Sequence, residues 1–325
     1  MLKKVFVLFI ACLIPLLSQA AAINKESNVK DKDIKELTLM LEWFVNPDHG
    51  PIIIAEKKGY FAQEGVKVSI QEPGDPSIPP KMVAAGDTDL AVYYQPSLTH
   101  GVAGGMPLAW AGTLVATPLD GLIVLEDGPI KSLKDLKGKT IGLSMHGNEK
   151  AFLDTMFKPY GFGTEDVKLV NVGWNLSSSL MTRRVDAIMG AYRNFELNQL
   201  AIEGKKGKMF PYEEHNVPPY DELIYIANSK KHNKEAIRRF LRATELATQF
   251  IVNHPKQSWE LFKSYNPKQL DNELNKRAWI DTIPHFALRP AAKDVGRYQR
   301  FSDFLQKFGG VEKAPKASEY MLSLY

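Results

Sequence analysis

Aromatic and carboxyl side chains stand where several predicted strands end, and residues in such positions can bind a small molecule. They are Trp43, Tyr93, Tyr192 and Glu196. An aromatic face stacks on a flat ring, and a carboxyl group can hydrogen-bond the edge of that ring. A site for anions would instead carry arginine or lysine, and Arg193 is the one basic residue at these positions. The side chains therefore favour a neutral or cationic aromatic ligand.

Tyr192 and Glu196 lie four residues apart across a predicted strand-to-helix turn, so their side chains can meet at one point. A carboxylate accepts a hydrogen bond from an amino group, and a protonated carboxyl group also donates to a ring nitrogen. Burial would raise the pKa of Glu196 and favour the protonated state. The alternative is a solvated glutamate, which the helix dipole favours at a helix start.

The first predicted strand spans residues 37–43. The loop that follows it offers three polar side chains, those of Asn46, Asp48 and His49. Trp43 ends this strand, and the alternative to a ligand contact is a place in the core. Asn46 can both donate and accept hydrogen bonds. His49 can hydrogen-bond a ligand or cap the helix that follows. Asp48 is interpreted as a helix N-cap rather than a ligand contact.

Two further strand ends carry aromatic residues. Tyr93 and Tyr94 are consecutive, so alternation along the strand sends them to opposite faces and only one should reach a ligand. The alternative is that both lie in the core or at the surface. Trp174 and Asn175 follow another strand and could close a pocket from the far side, with packing between loops as the alternative for Trp174.

Gly147 and Asn148 open a helix after a predicted strand at residues 139–144. The free backbone N–H groups at such a helix start suit a carbonyl group or an anion. Ser144 and His146 flank this position. The arrangement is common to many α/β proteins, so it says little about the identity of a ligand.

Composition and missing motifs exclude several classes of function. The sequence contains no Gly-X-X-X-X-Gly-Lys phosphate loop, no His-Glu-X-X-His zinc motif and no Gly-X-Ser-X-Gly nucleophile motif. One cysteine in 325 residues excludes an intramolecular disulfide and a cysteine-rich metal site. The net charge of +4 is too small to indicate a nucleic-acid partner. We therefore expect no metal and no cofactor.

Residues 1–20 have the layout of a secretory signal peptide. A positively charged start precedes an apolar run over residues 5–17, and small residues follow it up to Ala20. The run is shorter than the roughly 20 residues that span a bilayer. Cleavage after Ala20 would remove Cys12, and the alternatives are a retained membrane anchor or a lipidated Cys12. We expect an exported protein.

Predicted strands alternate with predicted helices along most of the chain, which indicates an α/β fold with mainly parallel sheets flanked by helices. The clearest predicted helix spans residues 234–253, where apolar residues recur at helical spacing. Residues 59–94 are similar to residues 160–192, and Asp89 and Asp186 occupy equivalent places in the two segments. Such similarity is typical of a duplicated α/β plan.

The strands at residues 122–125 and 223–227 are expected to carry the chain into a second α/β unit and back. The expected lobes are residues 36–124 with 226–325, and residues 125–225. Ligands of open α/β sheets bind beyond the carboxyl ends of the strands. The two lobes should therefore enclose a ligand cleft between them.

Three short motifs narrow the fold further. They read Gly-Tyr-Phe at residues 59–61, Ala-Gly-Asp at residues 85–87 and Asp-Leu-Lys-Gly-Lys at residues 135–139. These motifs resemble those of type II periplasmic solute-binding proteins of ABC importers. The resemblance implies a two-lobed fold, and a monomer that delivers its ligand to an ABC permease in the membrane.

Three longer segments carry a narrower resemblance. They are residues 41–51 (LEWFVNPDHGP), 190–196 (GAYRNFE) and 224–228 (IYIAN). They are similar to the thiamine-pyrimidine branch, which contains bacterial binding proteins for formylaminopyrimidine or hydroxymethylpyrimidine. The resemblance implies a periplasmic protein in which Trp43 stacks on the pyrimidine, and it favours Tyr93 over Tyr94 as the residue in the cleft.

The same branch contains the fungal-type hydroxymethylpyrimidine phosphate synthase, which resembles this chain but uses pyridoxal phosphate on a lysine, its own histidine and a cysteine cluster. Here the lysine place is Tyr93, the histidine place is Ser97, and residues 217–221 contain no cysteine. We therefore expect a binding protein that is not an enzyme. The alternatives are a binding protein for another solute, such as a sulfonate, nitrate or a flavin, and the disfavoured synthase.

Overall fold

The computed structural model describes residues 34–144 and 147–325. The expected signal peptide at residues 1–20 and His146 lie outside the described residues. The strands are β1 (Lys35–Met40), β2 (Val66–Gln71), β3 (Leu90–Tyr93), β4 (Leu108–Val115), β5 (Asp120–Leu125), β6 (Thr140–Leu143), β7 (Lys168–Asn171), β8 (Ala187–Tyr192), β9 (Gly207–Pro211) and β10 (Leu223–Asn228).

Helices fill most of the connections and dominate after β10. They are α1 (Gly50–Lys57), α2 (Tyr60–Gln63), α3 (Pro79–Ala85), α4 (Gln95–Ala103), α5 (Glu149–Phe157), α6 (Leu176–Met181), α7 (Glu196–Ile202), α8 (Lys234–Asn253), α9 (Pro255–Lys263), α10 (Pro267–Leu270), α11 (Glu273–Thr282), α12 (Val295–Lys307) and α13 (Ala317–Tyr320). Short 3-10 turns at Pro47–His49, Leu133–Leu136, Lys158–Tyr160, Thr164–Asp166, Tyr212–Glu214 and Ile283–His285 complete the described elements.

The strands form two five-stranded sheets flanked by helices, as the sequence predicts. The first has the order β2-β1-β3-β10-β4 and the second the order β7-β6-β8-β5-β9. In the first sheet only β10 runs against its neighbours, and in the second only β5 does. Each sheet is therefore mixed, and its single reversed strand is the one that arrives from the other sheet.

The chain changes sheets in residues 116–119 and again in residues 212–222. The expected lobe boundaries, at residues 124–125 and 225–226, fall inside β5 and β10 instead. The reason is that β5 pairs with β8 and β9 from Asp120 onward, and β10 pairs with β4 from Leu223 onward. Both changes of sheet thus precede the apolar strands that follow them.

The same hydrogen bond, from a backbone N–H in one strand to an aspartate just before the neighbouring strand, occurs in both sheets. Asp89, just before β3, accepts a hydrogen bond from the backbone N–H of Thr38 in β1 at 2.8 Å. Asp186, just before β8, accepts one from the backbone N–H of Thr140 in β6 at 2.9 Å. The equivalence that the sequence predicted for the two aspartates is therefore present in the structure.

Helix α8 covers one face of the first sheet and spans the residues predicted for it. Asn233 caps its start by accepting from the backbone N–H of Ala236 at 3.0 Å. Its buried residues, Ile237, Phe240 and Leu241 among them, recur at helical spacing and belong to the core of the first sheet. None of the helices in the described part of the chain is long and apolar enough to cross a membrane.

Helix α12 packs against both sheets, although residues 226–325 were all expected in the first lobe. Tyr298 belongs to the core of the first sheet. Phe301, Phe304 and Leu305, further along the helix, belong to the core of the second sheet. The apolar side chains of this one helix thus supply two cores.

The first turn of α12 also holds both segments that connect the sheets. The guanidinium of Arg297 donates to the Ala116 carbonyl oxygen at 3.0 Å and to the Asp221 carboxylate at 2.6 Å. The Tyr298 hydroxyl donates to the other Asp221 oxygen at 2.8 Å. These bonds tie the two connecting segments to each other through the helix.

Candidate functional site

A cavity of about 970 Å³ lies at the carboxyl ends of the parallel strands, and both sheets contribute to its lining. Six carboxyl-bearing residues line it: Glu42, Asp48, Asp120, Glu149, Glu196 and Glu222. Aromatic and large apolar residues also line it: Trp43, Tyr94, Leu143, Phe152, Leu176, Met189, Tyr192, Phe195 and Tyr220. Among residues 34–144 and 147–325, no lysine or arginine lines the cavity.

The loop after β1 is held by its own side chains. The Asn46 side-chain oxygen accepts from the backbone N–H of Asp48 at 2.8 Å, and Nδ1 of His49 accepts from the backbone N–H of Asn46 at 3.2 Å. Asn46 is therefore the cap of the turn Pro47–His49, whereas Asp48 was predicted as the helix cap, and Asn46 also lines the cavity. Reciprocal capping of this kind fixes the loop that carries Trp43.

His49 is fully buried and does not line the cavity. Its Nε2 lies 3.0 and 3.1 Å from the two carboxylate oxygens of Glu42, which does line the cavity. Burial by itself disfavours the charged imidazole, but the neighbouring carboxylates of Glu42, Asp48 and Glu72 together outweigh it, Glu42 most of all, and the pKa of His49 is raised. His49 therefore positions a cavity residue and does not face the cavity itself.

Asp48 lines the cavity and joins the two halves of the protein. Its Oδ1 accepts from the Asn194 side-chain amide at 2.6 Å and from the Thr282 hydroxyl at 3.2 Å. Asn194 follows β8 of the second sheet, whereas Thr282 ends α11. Burial raises the pKa of Asp48 to about 6, against the lowering effects of His49 and the two hydrogen bonds.

Tyr94, rather than Tyr93, lines the cavity. Tyr93 lies in a core cluster on the other face of the sheet, with Met40, Val83 and Trp110. Alternation predicts that only one of the two rings reaches the cavity, but it does not say which, and the two ring centroids remain only 5.6 Å apart. Because both residues are tyrosines, the sequence pattern alone could not determine which of them faces the cavity.

Tyr192 and Glu196 meet in the cavity as predicted from their spacing. The carboxylate of Glu196 accepts from the backbone N–H of Tyr192 at 2.6 Å. Burial raises the pKa of Glu196 to about 7, although this hydrogen bond opposes the shift. The Tyr192 hydroxyl is buried, and it lies close enough to the Glu222 carboxyl group to lower the pKa of that group through hydrogen bonding.

The turn between β6 and α5 contributes Ser144 and Asn148 to the lining. The Asn148 amide donates to the Ser97 hydroxyl of the first half at 3.2 Å, while its side-chain oxygen is buried without a partner in the described part of the chain. The sequence predicts a free Gly147 N–H, and this prediction is wrong. The group donates to the Glu149 carboxylate at 2.5 Å. Gly147 itself is absent from the lining residues.

Trp174 does not line the cavity but packs on the residues at its edge. Its ring centroid lies 4.1 Å from that of Trp43 and 4.6 Å from that of Phe44. Trp43 lines the cavity from the first half, whereas Trp174 follows β7 of the second sheet. The three rings therefore join the halves beside the cavity.

Asp120 and Glu222 are functional candidates that sequence reasoning missed. Each stands where the chain, after crossing from one sheet to the other, begins a new strand, and both line the cavity. Glu222 accepts from the backbone N–H groups of Leu119 and Asp120 at 2.7 and 3.1 Å. Asp120 accepts from those of Gly121 and Ala191 at 2.6 and 3.0 Å.

Burial sets the ionisation of both carboxyl groups. It raises the pKa of Glu222 to about 7, against the two backbone hydrogen bonds. Burial and the nearby Glu222 carboxylate raise the pKa of Asp120 well above its usual value. An acidic residue directly before an apolar buried strand is the sequence signal that could have found each of them.

Comparison with known proteins identifies the family of this chain. Residues 46–258 match the NMT1/THI5 like family. The chain belongs to this family. The NMT1/THI5 like chain is 46% identical, over 89% of its length and 92% of the relative's, to a Haemophilus influenzae protein assigned to thiamine biosynthesis.

Two further relatives of this NMT1/THI5 like protein differ in what they do. The formylaminopyrimidine-binding protein of Halalkalibacterium halodurans is 31% identical over 70% of each chain. The 4-amino-5-hydroxymethyl-2-methylpyrimidine phosphate synthase of Uromyces fabae is 32% identical over 74% of each chain. The family therefore includes both a binding protein and an enzyme.

Solved structures identify the fold of the NMT1/THI5 like chain. The alkanesulfonate-binding protein of Xanthomonas axonopodis pv. citri matches with a TM-score of 0.70 and 13% identity, over 89% of this chain and 99% of that one. A Candida albicans protein with the generic periplasmic binding protein fold matches with a TM-score of 0.70 and 16% identity, over 89% and 96%. The fold is thus the two-lobed periplasmic-binding-protein fold.

Proposed function

We propose that this protein is the exported substrate-binding protein of an ABC importer, and that it binds a thiamine pyrimidine precursor between its lobes. The candidate ligands are formylaminopyrimidine and hydroxymethylpyrimidine. The observation that supports this most is the pairing of aromatic faces with the half-buried Glu196 carboxyl group, in a cavity whose described lining contains no lysine or arginine. The relative that binds formylaminopyrimidine supports the same ligand class.

In this proposal the ligand ring stacks on Trp43 and Tyr192, and Glu196 binds its edge. A pKa of about 7 keeps a large share of Glu196 protonated at neutral pH. The protonated carboxyl group accepts from the exocyclic amino group and donates to the adjacent ring nitrogen. The Asn148 side-chain oxygen, which is buried with no hydrogen-bond partner among the described residues, would bind a further polar group of the ligand.

Ligand binding would stabilise the arrangement in which the lobes touch. Three contacts already join the halves beside the cavity: Asp48 with Asn194, Ser97 with Asn148, and Trp43 with Trp174. A ligand that touches both halves shifts the equilibrium by its differential affinity for this state. The closed monomer would then deliver the ligand to the membrane permease.

Transport rather than catalysis is favoured by the residues at the three places that distinguish the synthase. Tyr93 and Ser97 stand where that enzyme is expected to have lysine and histidine, and the single cysteine of the chain is Cys12 in the expected signal peptide. Export through residues 1–20 would also place the protein in the periplasm. We therefore propose that it is not an enzyme and uses no cofactor.

Calorimetric titration of the purified protein tests this proposal. We expect saturable, equimolar binding of formylaminopyrimidine or hydroxymethylpyrimidine and no response to taurine, which stands for the sulfonates. Heat from taurine alone would favour the sulfonate alternative. Pyridoxal phosphate is the control for the synthase, because an imine absorption band of one equivalent would contradict the transport proposal.

A further inference from the structure

Glu42 is a cavity residue whose carboxylate is almost fully buried. It follows the end of β1 by two residues, lines the cavity from the first half and is 2% exposed. Burying a carboxylate is costly unless hydrogen-bond donors surround it. Within residues 34–144 and 147–325, its donor is the His49 ring, and no lysine or arginine lines the cavity beside it. The carboxylate therefore has room for a further donor.

The contacts of the His49 ring make Glu42 an acceptor. Nδ1 of His49 accepts the backbone N–H of Asn46 at 3.2 Å, so in the neutral ring the proton is on Nε2. Nε2 then donates to the two Glu42 oxygens, at 3.0 and 3.1 Å. A protonated ring also donates from Nε2. Glu42 thus accepts from His49 in either charge state of the imidazole.

The remaining acceptor capacity of Glu42 is available to a ligand in the cavity. The two oxygens of a carboxylate offer about four lone-pair positions, and the single Nε2–H of His49 is shared between them. Burial, and after it the nearby Glu42 carboxylate, raises the pKa of the cavity residue Tyr94 well above its usual value, so Glu42 lies close to that ring. A ligand donor placed here would complete the hydrogen bonding of the carboxylate, whereas a ligand without one would leave it incomplete.

Glu42 and Glu196 come from different halves and offer a ligand different groups. Glu196 begins α7 in the second half and, with a pKa of about 7, can both donate and accept. Glu42 belongs to the first half and accepts. Together the two residues can bind a flat ligand that carries two separate donor groups, one for each half.

This inference rests on the proposed function and deepens it. We propose that Glu42 determines which ring substituent the cavity takes, by accepting a second hydrogen-bond donor that the side chain of the pyrimidine carries. The ligand class is thus an aminopyrimidine whose side chain bears an N–H or O–H group. An ammonium group binds most tightly, because a hydrogen bond between charged partners is stronger. A side chain of the same size without a donor is disfavoured, since the buried carboxylate keeps an unmade hydrogen bond.

Calorimetric titration with three probes of similar size tests the specificity. They are 4-amino-2-methylpyrimidines that carry an ethyl, a hydroxymethyl or an aminomethyl group at carbon 5. We expect the unmodified protein to bind the hydroxymethyl and aminomethyl probes at least about tenfold more tightly than the ethyl probe, because each gains a hydrogen bond to a carboxylate. Similar affinities for all three would overturn the inference.

Glu42→Gln tests the assignment to this residue. The amide oxygen still accepts from His49, so the amide N–H2 group faces the cavity. An ammonium group cannot accept a hydrogen bond from it, so the preference for the aminomethyl over the ethyl probe should fall by about tenfold or more. The affinity for the ethyl probe should change less than about threefold. The matched control is Glu36→Gln at the start of β1, where the side chain is 79% exposed, and it should leave the preference unchanged.

A second variant covers the case in which Glu42→Gln does not fold, as judged by circular dichroism. Glu42→Asp keeps a carboxylate but withdraws it from the cavity by one methylene group. The preference for the aminomethyl over the ethyl probe should fall in this variant as well, because hydrogen-bond strength depends steeply on distance and angle.

The possible results separate this inference from the proposed function. A preference that the Glu42 variants leave unchanged would overturn the role of Glu42 while the pyrimidine-binding function stands. A preference that falls equally in Glu36→Gln would reduce the effect to overall charge and also overturn the inference. Binding of none of the three probes, together with no binding of formylaminopyrimidine, would contradict the proposed function and with it this inference.

Discussion

The carboxylate of Asp48 accepts a hydrogen bond from the side-chain amide of Asn194 at 2.6 Å. The two residues follow strands of different sheets, and both are buried, with 2% and 1% of their surface exposed. Asp48 also lines the cavity. This bond therefore connects the binding cavity directly to the contact between the two halves.

Replacing Asn194 with alanine should weaken ligand binding by about tenfold, because a buried hydrogen bond to a carboxylate is lost from the state in which the halves touch. Small-angle scattering should show a larger radius of gyration for the unliganded variant. Asn198→Ala is the control. It removes an exposed hydrogen bond of 2.7 Å from α7 to Asp281 in α11, which also joins the two halves, and should change affinity less than about twofold. Equal effects of the two variants would contradict the special role of Asp48.

Glu196→Gln should weaken pyrimidine binding by about tenfold, because the amide offers a donor and an acceptor but cannot transfer a proton to the ring nitrogen, so a charge-assisted bond is replaced by neutral ones. Isothermal titration of the variant measures the loss. We expect it to exceed that of Asp48→Ala. Glu203→Gln, at the other end of α7, is the matched control for charge. A larger loss in Asp48→Ala would overturn the central place of Glu196.

The stability of the unliganded protein should fall as pH rises from about 4.5 to about 7. Burial raises the pKa of Glu196 from 4.5 to about 7 in the folded state. The contribution of Glu196 to the free energy of unfolding is therefore fully present below the pKa of the unfolded state. It is lost as pH rises through the pKa of the folded state. Urea unfolding across this range should show the decline, and Glu196→Gln should flatten it by roughly 2–3 kcal/mol. An unchanged slope in the variant would argue that Glu196 is solvated.

Trp43→Ala should weaken pyrimidine binding by about 1–3 kcal/mol, the range of stacking between an aromatic side chain and a base. Trp43→Phe, which keeps an aromatic face, should recover part of the loss. Titration calorimetry compares the two variants. The same loss in both would indicate that the indole contributes through its contact with Trp174 and not through stacking on the ligand.

Substitution of Tyr93 should mainly affect stability, whereas substitution of Tyr94 should mainly affect ligand binding. Tyr93→Ala removes a large side chain from a core cluster and should lower the free energy of unfolding by about 3 kcal/mol or more. Tyr94→Ala removes a cavity residue and should mainly lower ligand affinity. Chemical denaturation and calorimetry on both variants measure this contrast. The reverse pattern would restore Tyr93 as the cavity residue.

Sequence reasoning predicted features that depend on local pattern. Helix α8 follows from one apolar face at helical spacing, and the convergence of Tyr192 and Glu196 follows from their spacing across a turn. It could not choose between Tyr93 and Tyr94, because two identical residues leave the facing of a short strand undetermined.

Features that depend on distant segments were beyond the sequence. The pairing of Asp120 and Glu222 requires two segments about a hundred residues apart to meet. The packing of α12 on the second sheet likewise depends on contacts with residues far away in the chain.

The placement of helix α12 limits how the protein can open. Arg297 binds both connecting segments, Tyr298 packs on the first sheet and Phe301 packs on the second. The halves are therefore joined along a line formed by two backbone crossings and one 13-residue helix. We expect opening to be a rotation about an axis close to that line, and it would have to separate the contacts that join the halves beside the cavity, Asp48 with Asn194 and Trp43 with Trp174.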